Sequence, residues 1–199
     1  MNQKTKTLTG LALFTAIIVV LQLLGSFIKF GPFTISLVLI PIVVGAAVYG
    51  PKAGAYLGGV FGVVVLIACI AGWDFGGNML WNANPFLTAL ICVGKGVLAG
   101  LAAGAIYSAV AHKSRMVGTV LAAIACPVVN TGIFLLGLNL LFPQFLADWA
   151  SAAGADIATY ILTGLVGINF LAELVLNIVV SPVIVRIIGA RLGTPKALS

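Results

Sequence analysis

Lys95, Asn130, Asn169, Glu173 and Asn177 each stand well inside an apolar stretch of this chain. In hydrocarbon an ionisable side chain is costly, and by default it marks a function with a partner inside the protein. An ammonium attracts an acidic or carbonyl group, while amides offer both donors and acceptors. The set therefore has the chemistry of a small-molecule pocket. The competing reading is internal: Lys95 neutralises Glu173, and the amides act as glue between helices at about 0.6 kcal/mol per contact. Both hold if an internal pair opens when ligand arrives.

Chemistry on covalent bonds is not indicated. The only histidine, His112, lies in a basic turn, so no second His completes a metal site. No Gly-x-Ser-x-Gly elbow and no phosphate-binding Gly-x-x-x-x-Gly-Lys-Ser/Thr loop is present. Catalytic residues, metal ligands and cofactors are accordingly expected to be none. Cys69, Cys92 and Cys126 are odd in number, lie in apolar runs and form no Cys-x-x-Cys pair, so they read as small core residues. An ion channel needs a repeated filter or a ring of charges, and a secondary transporter two related halves. Neither pattern is visible.

The elements that must position these groups are membrane helices. The chain has 199 residues, is 62% hydrophobic and 7% charged, and has a mean hydropathy of +1.24. Spans of about 20 apolar residues fall near 8–28, 34–49, 53–72, 86–111, 117–142 and 157–190. The first is read as a retained helix, since it exceeds a signal-peptide core and lacks an Ala-x-Ala ending. With tight Gly/Pro turns at Lys29-Phe30-Gly31-Pro32 and Gly50-Pro51-Lys52 and no linker, residues 1–199 are expected to form one all-α bundle of about six transmembrane helices.

Orientation follows from Lys and Arg. One side holds Lys4, Lys6, Lys52, Lys113, Arg115, Arg186, Arg191 and Lys196; the other holds Lys29 with Asp74, Asp148 and Asp156. Both termini are therefore expected in the cytoplasm. The formal charge of +6 is scattered over helix ends, which argues for topology and against nucleic acid. The two hydrophilic connections, Trp73 to Pro85 and Pro143 to Asp156, then face outward as candidate lids. At 1.5 Å per residue from the outer ends, Lys95 lies roughly 14 Å deep, Asn130 and Asn169 at about 18 Å, and Glu173 one turn deeper. Trp73, Phe75, Trp81 and Phe86 would cover such a layer, although tryptophans are also expected at a membrane interface.

Small residues recur every four positions, at Gly50, Gly54, Gly58 and Gly62 and again at Gly96, Gly100 and Gly104. Such ridges let helix backbones approach in lipid, here for packing within the chain. Ala12-x-x-x-Ala16 is a weaker version on the first helix.

The order and spacing of several segments resemble the substrate-binding S components of energy-coupling factor (ECF) transporters, the vitamin-uptake systems of bacteria and archaea. The resemblance rests on Ala12-Leu13-Phe14-Thr15-Ala16, Ile35-Ser36-Leu37 through Gly50-Pro51-Lys52-Ala53-Gly54-Ala55, Asn84-Pro85-Phe86, Asn130-Thr131, and Asn169 followed by Glu173. It implies a multi-pass cell-membrane subunit that captures a vitamin outside the cell and delivers it by toppling in the bilayer. ATP would be hydrolysed by two separate ATPase subunits acting through a membrane coupling subunit, which would pack on Ala12 and Ala16. Lys95, Asn130, Asn169 and Glu173 would contact the substrate, with Trp73, Trp81 and Asn84 in or under the lid. The pattern is most similar to the branch carrying pantothenate, although Gly94-Lys95 stands where that branch has Pro-Arg. Riboflavin is the alternative, with folate, pyridoxine and queuosine-type precursors open. A membrane adaptor without a small ligand, its interior filled by its own side chains, is the reading from a different class.

Overall fold

The protein is described by a computed structural model that covers the backbone of residues 3–25, 29–30, 33–34 and 37–192, and the side chains of 4–25, 37–167 and 170–186. Helix α1 (Gln3–Gly25) leads into a two-residue antiparallel ladder, β1 (Lys29–Phe30) with β2 (Phe33–Thr34). Then follow α2 (Leu39–Tyr49), α3 (Pro51–Ile70), α4 (Phe75–Ala83), α5 (Pro85–Val110), α6 (Arg115–Leu141), α7 (Pro143–Ala152), α8 (Ile157–Tyr160), a π-helical segment Ile161–Val166, and α9 (Gly167–Leu192). Among the described residues four helices, α1, α3, α5 and α6, are each long and apolar enough to cross a membrane, and the bent pair from Ile157 to Arg186 makes a fifth span. The sixth apolar segment, α2, has 11 residues and about 16 Å of length, too little to span alone. Being apolar on every side, it is buried among α1, α3, α5, α6 and α9. The all-α membrane class is thus what the chain adopts.

Three segments differ from the sequence reading. Residues 73 to 85 contain α4, whose first turn is capped by Asp74: its Oδ1 accepts from the Gly77 amide at 2.7 Å. The Asn78 amide then donates to the Cys69 carbonyl at 2.8 Å, tying α4 to the end of α3. Residues 143 to 152 form α7, with Pro143 in its first turn and Leu146 and Ala150 buried against the bundle. Short amphipathic helices carry too few consecutive apolar residues to register as spans, and their polar faces read as loop. The last span, read as a continuous helix over 157–190, bends by 42°. Gly167 at φ +24° and the π segment before it interrupt the hydrogen-bond ladder, a common cause of sharp kinks.

The α3–α5 hairpin is the closest packing in the bundle. A methyl group on Gly58 would overlap the carbonyl of Gly96, one on Gly54 that of Gly100, and one on Gly104 the Pro51 backbone. The two glycine ridges therefore face each other, and backbone meets backbone with no side chain between. Gly50 stands apart: at φ +90° with nothing near its missing Cβ, it makes the turn into α3. Around this hairpin lie Phe61, Leu57, Ile42, Val43, Ile18, Ala99 and Ala103, the main core. Gly58→Leu is expected to lower stability by about 1–3 kcal/mol or more through forced separation of the helices. Gly94→Ala, at a position with open space, should melt at or above the parent temperature. Thermal unfolding in mild detergent checks both, and equal behaviour of the two variants would contradict the packing.

Candidate functional site

One face of α5 presents Thr88, Ile91, Cys92 and Lys95, spaced so that all lie on the same side of the helix. Opposite them stand Val65 and Cys69 of α3, while Asp74, Gly77 and Leu80 roof the space from α4 and Phe134 closes it from α6. The cavity measures about 30 Å³, room for a water molecule or two and far below a vitamin's volume. Gly77 is required in the roof, since a side chain there would overlap the Cys69 sulfur. Cys69 and Cys92 are free, buried thiols that line the cavity within electrostatic range of each other. They are small core residues, as expected, and they also line the site.

The Lys95 ammonium rests over two aromatic faces, 4.9 Å from the centroid of Phe134 and 5.9 Å from that of Phe61. A cation–π contact of this kind stabilises a desolvated ammonium by about 2 kcal/mol. Glu173 is buried on α9, within electrostatic range of the Cys126 thiol on α6. Asn177, one turn on, donates from Nδ2 to the Glu173 backbone carbonyl at 2.9 Å. Asn130 lies one turn below Phe134 on α6 and is buried; its Oδ1, the Asn177 Oδ1 and the Ser181 Oγ have no hydrogen-bond partner among the described residues. An orphaned acceptor in the interior costs about 1–3 kcal/mol. Asn169 belongs to α9, but its side chain lies outside the described residues, as do the side chains of Lys29 and Arg191 and all of Ile35, Ser36 and Lys196.

Trp73 is exposed beside α4, and Trp81 is half-buried on it; neither lines the cavity. Asn84 caps α5, its Oδ1 accepting from the Leu87 amide at 3.1 Å. Phe75 and Phe86 point outward, at the level where aromatic side chains meet a membrane interface. A second apolar cluster covers the outer end of the bundle: Leu80, Ile91, Leu138, Phe142 and Leu146, joined by Phe145, Trp149 and Tyr160. It binds α7 and α8 over the α4 roof. On α1, Ala12 and Ala16 are exposed on one side while Ile18 is buried on the other.

Phe61, Phe134 and Thr88 were not singled out from sequence, and Asp74 was read only as a charge on the outer side. Thr88 and Lys95 are seven residues apart and share a helix face, and Phe134 follows Asn130 by four, so helical spacing alone connects them to the named residues. Phe61 offers no such signal, because an aromatic between Gly58 and Gly62 looks like any core residue.

The structure is a multi-helix membrane bundle with a small, lysine-bearing cavity. The family described as ECF transporter, substrate-specific component, matches residues 6–185, nearly the whole chain, and the chain belongs to it. It is therefore a substrate-binding transport subunit of the cell membrane. No curated protein matches the chain closely enough to stand as a relative.

Helix α8 carries an acid-sensitive cap. Asp156 caps α8 by accepting from the Thr159 hydroxyl at 2.5 Å and from the amides of Ala158 and Thr159 at 3.1 and 3.2 Å. The Thr159 hydroxyl, foremost, holds its carboxyl below the usual carboxylate range. Because the folded value is depressed, the cap is fully present above the ordinary aspartate value and is lost as pH falls through the folded one. Protection factors of the Ala158 and Thr159 amides, corrected for the slower intrinsic exchange at low pH, should fall on acidification only in the parent chain; an equal acid response in Asp156→Ala would contradict the assignment.

Proposed function

We propose that this chain captures a vitamin or related micronutrient on the extracellular side of a bacterial or archaeal membrane, with pantothenate the leading substrate and riboflavin the alternative. The observation that supports the reading best is Lys95: a cation inside the bundle that rests against two aromatic faces and lines a cavity. A carboxylate or carbonyl on the substrate would draw it off the rings and exchange a cation–π contact for a stronger charge-assisted hydrogen bond. Asn130, Asn169 and Glu173 contribute the remaining polar contacts, and Trp73, Trp81 and Asn84 belong to the lid and its frame. Because the closed cavity is far too small, capture requires α4 and the α7–α8 cover to move. The π segment and Gly167 provide a hinge, since such interruptions often mark functional bends.

Delivery would use a coupling subunit and two ATPase subunits, this chain contributing no nucleotide site of its own. The exposed Ala12 and Ala16 fit a partner helix packed closely against α1. A non-transport adaptor remains the contrasting reading, favoured only by how little space the closed interior leaves.

Purification in mild detergent, denaturation and mass spectrometry of the released small molecules should yield one vitamin per chain. An empty chain whose melting temperature no vitamin raises would instead support the adaptor. Lys95→Met should weaken binding roughly tenfold to a hundredfold, the loss expected for one charge-assisted bond. Ala12→Trp or Ala16→Trp should leave that binding intact while abolishing uptake in cells; normal uptake would remove α1 from the coupling interface.

A further inference from the structure

Two long helices that pack on each other are each interrupted by proline, Pro127 in α6 and Pro182 in α9. Proline has no N–H, so the Ala123 carbonyl on α6 and the Ile178 carbonyl on α9 each lose the helical donor four residues on. In a bilayer such freed carbonyls have to be satisfied by another group. On α9 they are joined by side-chain oxygens in the same condition. Asn177 is 1% exposed and Ser181 0%, and neither the Asn177 Oδ1 nor the Ser181 Oγ has a hydrogen-bond partner among the described residues. Turning the amide over would not relieve this. Its Nδ2 already donates to the Glu173 backbone carbonyl at 2.9 Å, and an oxygen there would face an oxygen.

These oxygens share one level of the bundle. Asn177, Ile178 and Ser181 fall within about one turn, roughly 6 Å of α9. Cys126 on α6 lies within electrostatic range of Glu173, which sets the register between the two helices. Consecutive spans run antiparallel, so Ala123, about one turn back from Cys126, comes level with Asn177, one turn on from Glu173. The level lies roughly 12–14 Å from Arg115 and Arg186 at the basic ends of the helices, and none of its residues lines the Lys95 cavity. Oxygens without donors are the ligand set of a hard cation, and carbonyls freed by a broken membrane helix are a common part of it. Among the described residues no group of three His, Cys, Asp or Glu could hold a metal, which argues against transition metals and against calcium. One buried carboxylate, Glu173 at 7% exposure, balances a single positive charge. We infer that α6 and α9 bind one monovalent cation, sodium or potassium, on the Asn177 Oδ1, the Ser181 Oγ and the Ile178 and Ala123 carbonyls. When bound, the ion braces the two proline sites against each other. The inference is independent of vitamin capture, since it uses no residue of the Lys95 cavity.

The test uses the full chain in mild detergent, in sodium, potassium or N-methylglucamine chloride at equal ionic strength. Thermal unfolding is read beside equilibrium dialysis against radioactive sodium, or rubidium in place of potassium. One of the two ions should bind at about one per chain and raise the melting temperature saturably, by a few degrees at a hundredfold its dissociation constant. Ser181→Ala and Asn177→Leu should abolish both effects. In N-methylglucamine the same variants should melt at or above the parent temperature, because each replaces an orphaned acceptor with an apolar group. Pro182→Ala returns an N–H to the Ile178 carbonyl; it should raise the melting temperature in N-methylglucamine and weaken the ion about tenfold or more. No saturable difference among the three salts, or an equal response in Ser181→Ala and Pro182→Ala, would assign the oxygens to buried water and overturn the inference. A lower melting temperature of Ser181→Ala in N-methylglucamine would assign its hydroxyl to internal packing and overturn it as well. None of these results touches the capture reading, which stands or falls on the released vitamin.

Discussion

The contact on which the rest depends is backbone against backbone, where Gly54, Gly58 and Gly62 of α3 meet Gly100, Gly96 and the Cys92–Val93 peptide of α5. In lipid no hydrophobic force draws helices together, so dispersion at short range has to do so, and only glycine permits that range. The contact also sets the rotation of α5. With Gly96 turned onto α3, its neighbour Lys95 is carried about 100° around the helix, toward Phe61, Phe134 and the cavity. The depth and aim of the one deep cation therefore follow from a packing ridge that has no polar group of its own.

That cation rests against two rings, which share the cost of desolvating it. Rings hold the ammonium weakly and yield to a better partner. Around it, the Asn78 amide ties α4 to the end of α3 and a compact aromatic cluster holds α7 and α8.

Much of this was legible in the sequence. Hydropathy located the apolar segments, the Gly ridges announced the α3–α5 contact, and Lys95 stood out as an ammonium where none is cheap. The helices α4 and α7 were not legible as spans because their apolar faces are discontinuous, and the bend near Gly167 was hidden because Ile161–Val166 is as apolar as a continuous helix. Depth counting placed Lys95 within reach of Glu173, yet reach along the axis says nothing of rotation. The ring contacts show where the ammonium turns. Membership of the S-component family was carried by the order of short segments, and the matched span of residues 6–185 shows that order runs through the chain.

The central claim is that Lys95 leaves its aromatic cradle to bind substrate. Nuclear magnetic resonance of the Lys95 ε-methylene, assigned by comparison with Lys95→Met, reads this directly, because protons held over ring faces are shifted upfield. Saturation with pantothenate or riboflavin, whichever the chain binds, should move the resonance downfield to the range of an ordinary lysine. A resonance that stays upfield at saturation would mean that Lys95 is a structural cation and that the substrate is held elsewhere.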